Sequence, residues 1–177
     1  QPRDVLVRLQ TLTHNIVRIL GLRDVARVDF RLGEDGRIYF LEVNALPSLE
    51  PENGLFAAAR REHLSYDATI SAIVASAAVR WKLLPNAESK PKNKPPEPLR
   101  IGFTYNVKRA GNHGDADAEY DSPATIEAIT TALEAMGHIV VPLEANRELP
   151  SKLMESKVSL VFNIAEGLNG IGREAQV

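Results

Sequence analysis

ARVDFRLGEDGRIYFLEVNALPSL, residues 26–49, decides how this 177-residue chain is read. Val28, Phe30 and Leu32 alternate with Arg27, Asp29 and Arg31, which is the period of a half-buried strand with one polar face. GEDG, residues 33–36, supplies a turn, and IYFLEVN returns as a second strand before the irregular loop NALPSLEPENG. Residues two apart on a strand share a face, so Arg27, Asp29 and Arg31 point together, and so do Glu42 and Asn44. Pairing through the turn can bring Asp29 opposite Glu42 and Asn44. Two carboxylates and an amide oxygen suit magnesium, which takes one or two carboxylates together with substrate phosphates. Arg27 beside them can neutralise charge on a phosphoryl group or on an oxyanion. The same spacing also describes a solvated strand face with Arg–Asp pairs and a turn-proximal Asn.

Around this hairpin the composition is ordinary. Apolar residues make up 44% and charged residues 25%. A net charge of -2 gives no support to a broad nucleic-acid surface, and the apolar runs are too short to span a bilayer. With no cysteine the chain has no disulfide, no thiolate catalysis and no Cys-ligated zinc. That fits a reducing compartment, and no basic-then-apolar pattern opens the chain, so the expected localisation is cytoplasmic.

The expected fold class is α/β, in two blocks. Before the hairpin, VLVRLQTLTHNIVRIL (residues 5–20) sets Leu9, Leu12, Ile16, Ile19 and Leu20 on one helix face, with Gly21 as a stop. After it, a helix begins near Leu55, and another runs from about Tyr66 to Leu84 with Ile70, Ile73, Val74, Ala77 and Trp81 on its apolar face. Residues 85–98, PNAESKPKNKPPEP, hold five prolines and read as an exposed linker between a block at 1–84 and a block at 99–177. In the second block RIGFTYN is a strand. SPATIEAITTALEAMG is a helix with Ser122 as N-cap, Pro123 at its first position and Gly137 at its end. HIVVPLE is a strand, ELPSKLMES a short helix, and VSLVFNIAEG a third strand running into a loop. Strand–helix–strand–helix–strand predicts a parallel sheet whose ligand edge lies at the strand C-termini. Asn163, Glu166 and Arg173 lie near that edge, and Gly167, Gly170 and Gly172 would let the last loop bend around a ligand. Lys108, Arg109 and His113 could meet an anion or lie on the surface, and His14 and His63 read as surface or helix residues.

RVD, then LEVN with its Glu thirteen positions after the Asp, then Pro47, resembles the C-terminal part of ATP-grasp ligases of the D-alanine–D-alanine ligase branch. The resemblance implies a partial ATP-grasp lobe over residues 1–84. Asp29 and Glu42 would be magnesium ligands, Glu42 bridging two ions and Asn44 completing the second site, with Glu42 and Asn44 also serving nucleotide binding. Arg27 would stabilise the tetrahedral intermediate. Where the family has Pro-Gly, this chain has Pro47-Ser48, and the Ser48 N–H would take over the oxyanion role. Where the family has Ser-Leu to hold the acceptor carboxylate, this chain has Asn53-Gly54, with Asn53 as the remaining donor.

The block at 99–177 is similar to the family's N-terminal, Rossmann-like pre-ATP-grasp domain, incomplete at its end. Glu166-Gly167 stands at the family's His-Gly position, and Glu119 or Asp121 would take the acidic role toward the first substrate's ammonium. The two parts come in reversed order. We expect the junction of two tandem ligase-like units, with a circular permutation as the alternative, and no single active site shared by the two blocks. The resemblance implies ATP and Mg2+ (Mn2+ as an alternative) and a small amino-acid or peptide substrate. It implies a central ATP-grasp lobe supplied by the parent chain or a partner, no nucleic acid and no membrane, and it allows a homodimer. The expected reaction is carboxylate–amine ligation through an acyl phosphate. A non-catalytic binding or assembly module of the same fold is the alternative, and a general phosphate-transfer enzyme is a third reading.

Overall fold

The computed structural model describes residues 2–84, 97–108 and 120–166. It is mixed α/β, with an antiparallel hairpin and a three-stranded parallel sheet. The chain separates into two compact units, Gln1–Ser48 and Leu49–Val177.

The first unit holds α1 (Pro2–Ile19), β1 (Arg27–Leu32) and β2 (Ile38–Asn44). Asp4 and Arg18 lie in the first and last turns of α1, where each complements the helix dipole. Gly21, at φ +67°, turns the chain out of the helix, and Leu22 N donates back to Val17 O at 3.0 Å. Of the apolar face expected on α1, Leu9 and Ile16 are half-buried, whereas Leu12, Ile19 and Leu20 are exposed. The hairpin turn closes with Gly33 N donating to Arg37 O at 2.8 Å and Gly36 N to Gly33 O at 3.0 Å. Gly36 has φ +76°, a value that costs a glycine nothing.

The second unit begins with α2 (Gly54–Arg61) and α3 (Tyr66–Arg80). It continues with β3 (Arg100–Tyr105), α4 (Pro123–Ala135), β4 (Ile139–Glu144), α5 (Leu149–Ser156) and β5 (Leu160–Asn163). The strands run parallel in the order β4-β3-β5. Pro142 lies in β4 at the sheet edge, where a missing N–H does least harm to the ladder. Ser122 caps α4 by accepting from Thr125 N at 3.2 Å, Pro123 opens the helix, and Gly137 follows its end at φ +82°. These are the roles expected of the three residues.

Two apolar clusters are buried in this unit, a small one around Leu143 and Leu149 and a larger one that joins its helices to its sheet. Phe56 of α2 and Ile70, Val74 and Ala78 of α3 share the larger one with Ile101 and Phe103 of β3 and Ile129 and Leu133 of α4. Tyr66 lies over Phe56 with ring centroids 4.4 Å apart and donates to Leu49 O at 3.0 Å. One expectation for α3 needs correction. Trp81 is not on the apolar face; it is the C-cap residue and 67% exposed. The helix has ended before the next position on that face, and Ala78 takes the buried place.

Candidate functional site

The strand pairing contains an irregularity that the alternation alone does not reveal. Phe30 pairs with Phe40, Arg31 with Tyr39 and Leu32 with Ile38, but Asp29 pairs with Glu42. Leu41 is therefore an extra residue, a β-bulge. Strict alternation would put Phe40 on the same face as Glu42. The bulge re-phases the strand, so Phe40 meets Phe30 on one side, edge to face at 6.2 Å, while Glu42 meets Asp29 on the other. The sequence carried a sign of this, because Phe40 and Glu42 have the same parity but opposite polarity.

On the polar side Arg27 joins the two carboxylates. Its Nε donates to Asp29 Oδ1 at 3.1 Å and Oδ2 at 3.2 Å, and its Nη2 donates to Glu42 Oε1 at 3.3 Å. The guanidinium pKa is raised above its ordinary value, first by the hydrogen bond and charge of Asp29 and then by those of Glu42. The three side chains are substantially open to water, so these pairs contribute little to stability. Asn44 is the cross-strand partner of Arg27, and its Oδ1 accepts from Leu46 N at 2.9 Å, turning the chain into the loop. Pro47 is buried, and Ser48 beside it is exposed.

The hairpin thus gathers Arg27, Asp29, Glu42 and Asn44 at one end of a short ladder. Their hard oxygen donors fit magnesium held by two carboxylates and completed by phosphate oxygens. Among the described residues no group of three His, Asp or Glu side chains could hold a metal ion by itself.

The substrate-side residues belong to the second unit. Asn53 caps α2, its Oδ1 accepting from Gly54 N at 2.6 Å, which leaves its Nδ2 as the donor available to a ligand. Glu119 lies outside the described residues, as do Arg109, His113, Gly167, Gly170, Gly172 and Arg173. Asp121 lies two positions before α4, where Lys108 N donates to its carbonyl at 2.9 Å. Burial, and then the charges of Glu166 and Glu50, push the Asp121 carboxyl up to about 6. Burial, followed by the charges of Asp121 and Asp67, also raises the Tyr66 phenol. Glu166 N donates to Asn106 Oδ1 at 2.8 Å. Asn163 is occupied inside the fold, accepting from Thr104 Oγ1 and, at 3.1 Å, from Ala165 N. His14 Nδ1 lies 2.8 Å from Gln10 O, a contact within α1. The strand–helix alternation already put Asn106, within YNVKR, on the expected ligand edge, but it assigned the residue no role, because its partners lie far away in the chain.

A family model described as the D-ala D-ala ligase C-terminus matches residues 2–75. A D-alanine–D-alanine ligase of Aquifex aeolicus is 37% identical over 67 residues, 38% of this chain and 23% of the relative. One from Nitratidesulfovibrio vulgaris is 34% identical over 73 residues, 41% of this chain and 24% of the relative. One from Dechloromonas aromatica is 41% identical over 61 residues, 34% of this chain and 20% of the relative. The matched stretch thus spans less than a quarter of each of these relatives, at most 24%. No solved structure matches significantly. Residues 2–75, with the hairpin at their centre, are thus similar to the C-terminal part of D-alanine–D-alanine ligases.

Proposed function

We propose that the parent protein is an ATP- and magnesium-dependent carboxylate–amine ligase, similar to D-alanine–D-alanine ligase, working in the cytoplasm. The observation that carries this reading is the bulged hairpin, which sets Asp29 against Glu42 with Arg27 across both. Asp29, Glu42 and Asn44 would hold magnesium, and Glu42 and Asn44 would also serve the nucleotide. The ion would supply charge neutralisation to the phosphate oxygens. In the proposed reaction a substrate carboxylate oxygen attacks the γ-phosphorus of ATP, and ADP leaves. The resulting acyl phosphate is attacked by an amine at its carbonyl carbon. Phosphate then departs, the amine loses a proton, and an amide remains. Arg27 is the cation able to meet the oxyanion of the second step, with the Ser48 N–H beside it in that role. Asn53 is the proposed contact to the amino-acid or peptide substrate of this ligase unit, and Glu119, Asp121 and Glu166 those to the substrate of the following ligase-like unit, since the two blocks are not expected to share one active site. The remainder of the ATP site would come from a central lobe in the parent chain or a partner, and a homodimer is compatible with this arrangement.

Amino-acid-stimulated ADP release by the full-length protein tests the proposal. Glu42→Ala should abolish the release, and a full-length protein that binds no nucleotide in the presence of magnesium would sink the reading. A second reading, a nucleotide- or amino-acid-binding or assembly module, is favoured by Asn53, whose side-chain oxygen is committed to capping α2. It predicts nucleotide binding without amino-acid-stimulated ADP release.

A further inference from the structure

Asn106 follows β3 directly and is 5% exposed. Its Nδ2 donates at 3.2 Å to the carbonyl of Ala145, the first residue after β4. Its Oδ1 accepts at 2.8 Å from the N–H of Glu166, three residues after the end of β5. Its own carbonyl accepts at 3.2 Å from the N–H of Asp121, just ahead of α4. A single residue therefore bonds to the segments that leave β4 and β5 and to the one that enters α4. Backbone bonds extend a little past the strand ends, from Ala145 N to Tyr105 O at 2.8 Å, Ile164 N to Thr104 O at 2.9 Å and Lys108 N to Asp121 O at 2.9 Å, and the Asn106 side chain adds the cross-link between the β4 and β5 exits. A carboxamide suits the place because it donates and accepts at once. A carboxylate would only accept, and an aliphatic side chain would strand both a buried N–H and a buried carbonyl.

We propose that Asn106 is a positioning residue that clamps the strand-end edge, holding Asp121 and Glu166 in a fixed relation on the side assigned above to the amino-acid substrate. The assignment of that edge to substrate rests on the ligase reading; the clamp does not. Glu166, Glu50 and Tyr66 are the groups that sense or shift the Asp121 carboxyl. A loosened edge would therefore change how Asp121 titrates.

The test is amide exchange and carboxyl titration by NMR on the whole 177-residue chain. In Asn106→Ala, exchange at Glu166 N–H should quicken by about tenfold relative to Phe103 N–H. The Asp121 titration should move down toward the ordinary carboxylate range. Asn106→Asp keeps the acceptor, so Glu166 protection should return, while the added negative charge should move the Asp121 titration up. An unchanged Glu166-to-Phe103 ratio in Asn106→Ala overturns the clamp, as does an equal loss at both amides. Should the alanine variant not fold, Asn106→Asp decides: a Glu166 amide that exchanges as if free overturns the proposal, and a protected one supports it. In the full-length protein, Asn106→Ala should raise KM for the amino acid several-fold more than it lowers kcat. The opposite split overturns the substrate-positioning role. A full-length protein that ligates nothing overturns the ligase reading alone, because exchange and titration are read without ATP or amino acid.

Discussion

In the hairpin unit Pro47 is the one buried residue among those whose exposure is described, and Leu41, Phe40 and Ile19 stand open. In the unit from Leu49 onward, Phe56, Ile70, Phe103 and Ile129 are all essentially inaccessible. The hairpin keeps its form through its ladder, its glycine turn and a bulge, with exposed ion pairs laid over them. The second unit keeps its form by burying apolar surface, the dominant favourable term in folding. The geometry of the two candidate sites follows the same division. Around Arg27 it is set by backbone phase, and around Asn106 it is set by buried hydrogen bonds that need the surrounding core.

The contrast is open to direct attack, beginning with the largest effect. Ile70→Ala should cost about 3 kcal/mol, since a buried aliphatic truncation loses transfer energy and leaves a cavity. Because Ile70 shares a core with Ile101 and Ile129, urea unfolding followed at the β3 amides should shift with it. If β3 unfolds at an unchanged urea concentration, α3 and the sheet do not share that core. Ser122→Ala should cost about 1 kcal/mol by removing the cap of α4, read from the same curves.

The next effect depends on pH. The folded-state pKa of Asp121 is raised from 3.8 to about 6, so folding favours its protonated form. Its contribution to stability is full below about pH 4 and is lost as pH rises through about 6. Partial exposure screens the effect, so we expect about 1 kcal/mol between those limits, with most of that dependence absent in Asp121→Asn. Identical pH–stability profiles for the two proteins would contradict the placement of Asp121.

The smallest change in stability should be that of Arg27→Gln, smaller than that of Ser122→Ala, because its ion pairs are exposed. In the full-length protein the same substitution should cut amino-acid-stimulated ADP release by at least about tenfold, through lost stabilisation of the oxyanion. A melting shift as large as that of Ser122→Ala would show that Arg27 is structural.

Most elements were legible in the chain because they rest on local chemistry. The period of two in ARVDFRL, the GEDG turn, the Ser122-Pro123 entry to α4 and the Gly137 exit all act within a few residues. The pairing of Asp29 with Glu42 was approachable for the same reason, since a short turn brings neighbouring strands together. The bulge at Leu41 lay beyond simple alternation, because one inserted residue reverses the phase of every position after it.

What the sequence determined by itself was the set of helices and strands, and the likeness of the hairpin to the C-terminal part of D-alanine–D-alanine ligases. Tertiary structure alone decided that α2 and α3 share a core with β3 and α4, and that Ala78 rather than Trp81 lies in it. It alone placed Asn106 against Ala145 and Glu166, thirty-nine and sixty residues away. The physical reason is range. Propensity, capping and turn chemistry act over one or two turns of chain, whereas close packing and the satisfaction of buried polar groups depend on which distant surfaces meet.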